Sequence, residues 1–231
     1  MISLFRFLTC LSFLLLMNFF PAQKKQQIIF FGDSITQQGA EPGGFIPLID
    51  SMCNVERLGN KYGFTGSGVS GNKVYDLYLR LEEDVLSKNP DMVLIYIGVN
   101  DVWHKRSLGT GTDQDKFERF YEAIIRKLTN NKIKVILCTP AVIGERANNS
   151  NPQDGDLNQY SKIIRDIATK DHLPLVDLRN IFLQYELQHN PDNRIEGILT
   201  QDGVHLNANG NKLVAKEMWK TIKAGHTALT R

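Results

Sequence analysis

The sequence predicts an α/β protein in which helices cover both faces of a parallel sheet, and three observations lead there. Short apolar runs alternate with longer amphipathic stretches between residues 27 and 222, the order that builds parallel strands joined by helices. The runs are apolar at successive positions rather than alternate ones, as strands buried between two helical layers are. The chain has 231 residues, 42% hydrophobic and 23% charged, enough for a sizeable core.

The first strand is expected at QIIFFGDS, residues 27–34. Further strands are expected at NVERLG (54–59), DMVLIYIGVND (91–101), IKVILCTP (133–140) and LPLVDL (173–178). Phe117, Phe120, Tyr121, Ile124, Ile125 and Leu128 recur at spacings of three and four, as do Leu157, Tyr160, Ile164, Ile167 and Ala168; each set marks a helix with one buried face. A last helix starts near Ala208 with Asn207 as its cap and buries Val214, Ala215, Met218, Trp219 and Ile222. Residues Gly144 to Asp156 are polar and rich in Asn, Gly and Pro, so a loop is expected there, and long loops in compact domains are often functional. No composition break, repeat or linker divides residues 23–231, which read as a single domain.

Residues 1–22 read as an export signal. One positive charge within Met1 to Arg6 precedes a mostly apolar run of 14 residues, FLTCLSFLLLMNFF, and then Pro21 and Ala22. A spanning helix needs roughly 20 such residues, so cleavage after Ala22 and a periplasmic or extracellular destination are expected. The bulk of Phe20 keeps an uncleaved anchor as the alternative, and Cys10 is read as a small apolar residue of the signal. Cys53 and Cys138 are too few for a disulfide framework and are expected to be buried. No C-x-x-C pair exists, and the five histidines (His104, His172, His189, His205 and His226) show no metal-ligand spacing, so neither metal nor cofactor is expected. With Lys+Arg 27 against Asp+Glu 25 and no arginine-rich stripe, nucleic acid is not an expected partner, and no obligatory protein partner is evident.

The stretch GSGVSGNKVYDL, residues 66–77, fits G-x-G-x-x-G through Gly66, Gly68 and Gly71. A dinucleotide site would also need an acidic residue closing a strand about twenty positions later. Asp91 lies at that distance but opens a buried strand, which speaks against an NAD enzyme. An esterase needs a nucleophile, a base, a residue that orients the base, and donors aimed at the oxyanion. Ligands of open parallel sheets bind at the carboxyl ends of the strands, and Ser34 stands where the first strand turns into a helix. His205 can accept and return its proton, and Asp202, three residues earlier, can hold the imidazole in the productive tautomer. The order differs from that of the α/β-hydrolases with their G-x-S-x-G motif, and Ser70 in GVSGN fails that pattern because position 72 is Asn.

The chain resembles the SGNH hydrolases, also called GDSL esterases. GDSIT matches their first block with Ser34, GVSGNKVYDL the second with Gly71, IGVND the third with Asn100, and DGVHLNANGN the last with Asp202 and His205. The blocks appear in order from Gly32 to Asn211. The resemblance implies a three-layer α/β/α sandwich with a parallel sheet of about five strands. It also implies catalytic roles for Ser34, Asp202 and His205, and an oxyanion hole made by the amides of Ser34 and Gly71 with the side chain of Asn100.

Other residues near these blocks carry smaller expectations. Asp33 and Asp101 are expected to bond backbone around their turns, His104 to lie in an exposed surface loop, and His172 to sit in a turn. Trp103 is a candidate substrate contact at the pocket rim, with core packing as the alternative. No long apolar insertion suggests a lid or acyl tunnel, so the expected substrate is a small-molecule or glycan ester with a short acyl group such as acetyl. Lysophospholipase and short-chain thioesterase activities are the alternatives, and a silent glycan-binding module is the remote one.

Overall fold

The computed structural model describes residues 24–227, with side chains up to residue 224; the expected leader at residues 1–22 lies outside them. Five parallel strands form one sheet in the order β2-β1-β3-β4-β5. They are β1 (Gln26–Gly32), β2 (Tyr62–Gly68), β3 (Met92–Tyr96), β4 (Lys134–Cys138) and β5 (Leu175–Val176). Among the described residues eight α-helices accompany them, the last two after β5: α1 (Ser34–Gly39), α2 (Phe45–Val55), α3 (Val74–Asp84), α4 (Val99–Ser107), α5 (Gln114–Asn130), α6 (Asp154–Lys170), α7 (Leu178–His189) and α8 (Ala208–Thr227). One layer packs α2 against α8, and the other packs α3 against α5 and α5 against α6. The sheet lies between them, which is the expected three-layer sandwich.

The apolar runs do what their patterning requires. Ile28 to Phe31 and every residue of β3 are buried, because both faces of the sheet carry helices. The stripes of α5 and α6 point inward as expected, and on α8 Val214, Ala215, Met218, Trp219 and Ile222 are buried. Asn207 Oδ1 accepts from the amides of Asn209 and Gly210 at 2.9 and 3.0 Å and caps α8. Cys53 and Cys138 are buried free thiols, and burial pushes the Cys138 thiol far above its ordinary range.

The second strand is not at residues 54–59. That segment finishes α2 and turns, with Val55 81% exposed and the Leu58 amide closing onto Cys53 O. The strand is YGFTGSG, residues 62–68, paired with β1 from Gln26↔Tyr62 to Gly32↔Gly68. Its glycines hide it from a propensity reading, yet packing demands them. A Cβ on Gly68 would stand 2.1 Å from the amide nitrogen of Gln37, and one on Gly66 2.7 Å from Ala40 Cβ, so the strand is bare where α1 lies on it. Gly66 and Gly68 thus belong to a strand rather than to a phosphate cradle. Asp91 Oδ2 accepts from Gln27 N at 2.7 Å at the opposite pole of the sheet.

Under the loop that follows β4, Arg179 Nη2 donates to Asp154 Oδ1 at 2.7 Å, with side chains only 4% and 6% exposed. The guanidinium also donates to Asn158 Oδ1 and Ala141 O. Removing one partner strands a buried charge. Asp154→Ala is therefore expected to lower stability by about 3–5 kcal/mol, measured by urea unfolding.

Candidate active site

The site lies at the carboxyl ends of β1, β2 and β3. β1 ends at Gly32, Asp33 Oδ1 accepts from Ile35 N at 2.9 Å and caps α1, and Ser34 opens that helix. This turn lifts the Ser34 hydroxyl out of the sheet, where the residue keeps 6% exposure. Ser34 Oγ and His205 Nε2 are 3.0 Å apart, and His205 Nδ1 is 2.7 Å from Asp202 Oδ2. Asp202 Oδ1 also accepts from the amides of Val204 and His205 at 3.0 and 2.7 Å. Partial burial works to raise its pKa, but the His205 ring, these two amides and the His205 charge outweigh it and hold the carboxyl below its ordinary value. An ionised Asp202 places the ring proton on Nδ1, which leaves Nε2 free to accept the serine proton.

The two other expected site residues, Gly71 and Asn100, lie on different elements. Gly71 occupies the turn between β2 and α3 with φ +77°, a conformation that a side chain strains, while a Cβ there would meet nothing. Conformation and not crowding therefore selects glycine at this position. Asn100, in the first turn of α4, is 2% exposed, and its Nδ2 donates to Asn72 O at 3.1 Å. That bond uses one amide hydrogen and leaves the second for a ligand.

Arg80 of α3 ties this region together, and sequence reasoning missed it. Its Nη2 donates to Gly32 O at 2.7 Å and Ser67 O at 3.1 Å, and its Nε to Asn72 Oδ1 at 2.7 Å. The guanidinium lies 4.5 Å from the Phe31 ring centroid. One planar cation thus fixes the ends of β1 and β2 and the residue that holds Asn100. The only signal in the sequence was an arginine within the helical stretch YLRLEED.

The loop after β4 supplies a second grip. Glu145 is fully buried, and its carboxylate accepts from the amides of Ile198, Leu199 and Thr200 at 2.7, 2.5 and 2.7 Å. Gly144 N donates to Gly203 O at 2.8 Å and Glu145 N to Ile195 O at 2.8 Å. The segment carrying Asp202 and His205 is therefore clamped at three places, which gives the expected loop at 144–156 its task. Gln153 Nε2 donates to Val102 O at 2.9 Å and links the loop to α4.

The remaining candidates divide. Asp33 and Asp101 bond backbone as expected; Asp101 accepts from Val74 N at 3.2 and 3.3 Å and joins α4 to the start of α3. Burial pushes Asp33 up to about 7 and Asp101 up to about 6. His172 sits in a turn with φ +52°. His104 is not in an exposed loop: it is half-buried within α4, its Nδ1 has no hydrogen-bond partner, and burial lowers its pKa. The helix was missed because VWHKRS is polar, although Gly98, Asn100 and Asp101 start it. Trp103 packs on the core, the alternative the sequence offered for it, and also meets the His205 ring edge-on, with centroids 6.2 Å apart. Among the described residues no group of three or more His, Cys, Asp or Glu could hold a metal.

The sequence pattern of the GDSL-like lipase/acylhydrolase family matches residues 30–213. The chain belongs to this family. The match spans the ends of β1 and β3 and the His205 loop, so the residues brought together above all fall within the family region. The fold matches a solved acetyl xylan esterase, AlAXEase, with TM-score 0.83 and 57% identity, covering 84% of this chain and 98% of that one. A curated acetylxylan esterase of Geobacillus stearothermophilus is 29% identical over 212 residues, 85% of this chain and 94% of its own. A catalytic mutant of Axe2, an acetylxylan esterase from the same organism, superposes with TM-score 0.74 at 28% identity over 85% of this chain and 94% of that one. As a GDSL-family member of this kind, the protein is a carboxylic ester hydrolase.

Two substitutions test the geometry. Asn100→Ala should fold normally and lose roughly 100- to 1000-fold in kcat, the effect of one missing oxyanion donor, measured on p-nitrophenyl acetate. Glu145→Gln turns a donor toward three amides that need acceptors. It should cost roughly 100-fold in kcat through misplacement of His205 with KM nearly unchanged.

Proposed function

We propose that the protein removes short acyl groups, acetyl above all, from a carbohydrate outside the cytoplasm. The observation that carries this reading is the hydrogen-bonded series Ser34, His205, Asp202 in a GDSL-family chain that is 57% identical to an acetyl xylan esterase. A second support comes from the sequence: no long apolar insertion follows any strand end, as a long acyl chain would require. The alternatives of lysophospholipase and thioesterase draw no comparable support. Export rests on the composition of residues 1–22 alone.

In the first step Ser34 Oγ attacks the ester carbonyl while His205 Nε2 takes its proton. The carbonyl oxygen becomes an oxyanion facing the amides of Ser34 and Gly71 and the spare hydrogen of Asn100 Nδ2. Collapse breaks the bond to the sugar oxygen, which leaves with the proton from His205. Water then repeats the sequence on the acyl-serine with the same base, releasing the acid and restoring Ser34. Asp202 stays ionised and stabilises the imidazolium formed in each half. Trp103, beside His205, offers an aromatic face on which a sugar ring can stack.

The test is acetate release by residues 23–231 from acetylated xylo-oligosaccharides, set against lysophospholipid and long-chain p-nitrophenyl esters. Rapid acetate release with little action on long chains is expected, and Ser34→Ala should lower turnover by roughly a million-fold. Cleavage of lysophospholipid without acetate release would overturn the carbohydrate reading.

A further inference from the structure

Lys73 is a buried cation in an unfavourable place. It is 7% exposed and stands two residues after Gly71, at the N-terminal end of α3. Its Nζ donates to Gly71 O at 3.3 Å and lies 5.7 Å from the Tyr75 ring centroid. Among the described residues no carboxylate forms an ion pair with it. Asp101 attracts it only at longer range, and its field reaches His104, which carries no compensating charge. Burying an ammonium with one hydrogen bond and no contact ion pair is costly, and the helix dipole at this end of α3 favours anions, not cations.

Such a cost is offset if negative charge develops nearby during the reaction. Backbone dimensions put the Gly71 amide nitrogen within about 4 Å of its own carbonyl oxygen, hence within about 7 Å of Lys73 Nζ. That amide is one of the donors facing the oxyanion in the proposed mechanism. We propose that Lys73 is a positioning residue of the oxyanion site. Its ammonium fixes the Gly71 carbonyl, and with it the Gly71 turn, while its charge opposes the negative charge that builds on the reacting oxygen. A unit charge at this range in a medium of effective dielectric about 20 changes a rate by roughly ten- to fifty-fold. The inference rests on the esterase reading, and the controls keep the two apart: loss of wild-type activity in Ser34→Ala tests that reading alone.

The experiment compares Lys73→Met, Lys73→Gln and Lys73→Arg with wild type in kcat and KM on p-nitrophenyl acetate, in affinity for a boronic acid that becomes an anionic adduct on serine, and in Tm. Lys73→Met should lose roughly ten- to fifty-fold in kcat with KM within about two-fold, and should lose boronate affinity in proportion. It should also melt at or above the wild-type temperature, since a buried unpaired charge has been removed. Lys73→Arg should restore most of the rate, and Lys73→Gln should behave like Lys73→Met. An unchanged kcat in Lys73→Met would overturn the proposal. So would a slow Lys73→Met that melts lower, keeps wild-type boronate affinity and is not rescued by Arg, because that is the signature of lost packing. If Lys73→Met does not fold, the Lys73→Gln comparison decides by the same criteria.

Discussion

The hydrogen bond between Ser34 and His205 joins residues 171 positions apart, and the rest of the site depends on keeping it. Neither residue can hold it unaided. Ser34 is fixed because β1 is a central strand and Asp33 caps the helix that follows. His205 stands in a segment with little regular structure, between α7 and α8. That segment stays in place because the Glu145 carboxylate gathers three consecutive amides and the backbone of residues 144–145 bonds it on either side. These three bonds satisfy the buried Glu145 side chain, so the clamp leaves no unpaired polar atom on it in the core.

The electrostatics around this bond follow one pattern. Asp202 is held ionised by donors from His205 and Val204, whereas Asp33 and Asp101, buried on the core side, are pushed toward neutrality by desolvation. Asp202 thus sets a negative charge directly behind the imidazole, at its Nδ1. On the β2–α3 side, Lys73 bonds the Gly71 carbonyl, and Arg80, paired with Asp84, bonds Asn72. Arg80 reaches Gly32 O, Ser67 O and Asn72 through a single guanidinium, so the strand that leads to Ser34 and the residue bonded to Asn100 share one anchor.

The sheet, the stripes of α5, α6 and α8 and the four sequence blocks were legible because each leaves a local mark: a period, a cap or a short motif. What escaped was non-local. β2 was misplaced because its glycines answer to α1 packed above them, a constraint that only the fold imposes. α4 was read as a loop because its polar face dominates a short helix. Glu145 and Arg80 gave no signal, since a charged residue in a loop or on a helix usually meets solvent. Their importance lies in partners 53 and 48 positions away. Lys73 lies inside the motif GVSGNKVYDL, and its burial is set by the fold rather than by that pattern.

The central claim is that Ser34 is a nucleophile activated by His205 across the top of this sheet. Its most direct test is labelling of the intact protein with a serine-directed fluorophosphonate, followed by peptide mass mapping. The account predicts one adduct per chain, on Ser34, formed rapidly by wild type and almost not at all by His205→Ala. An adduct on Ser70, or labelling of Ser34 at the same rate without His205, would contradict it.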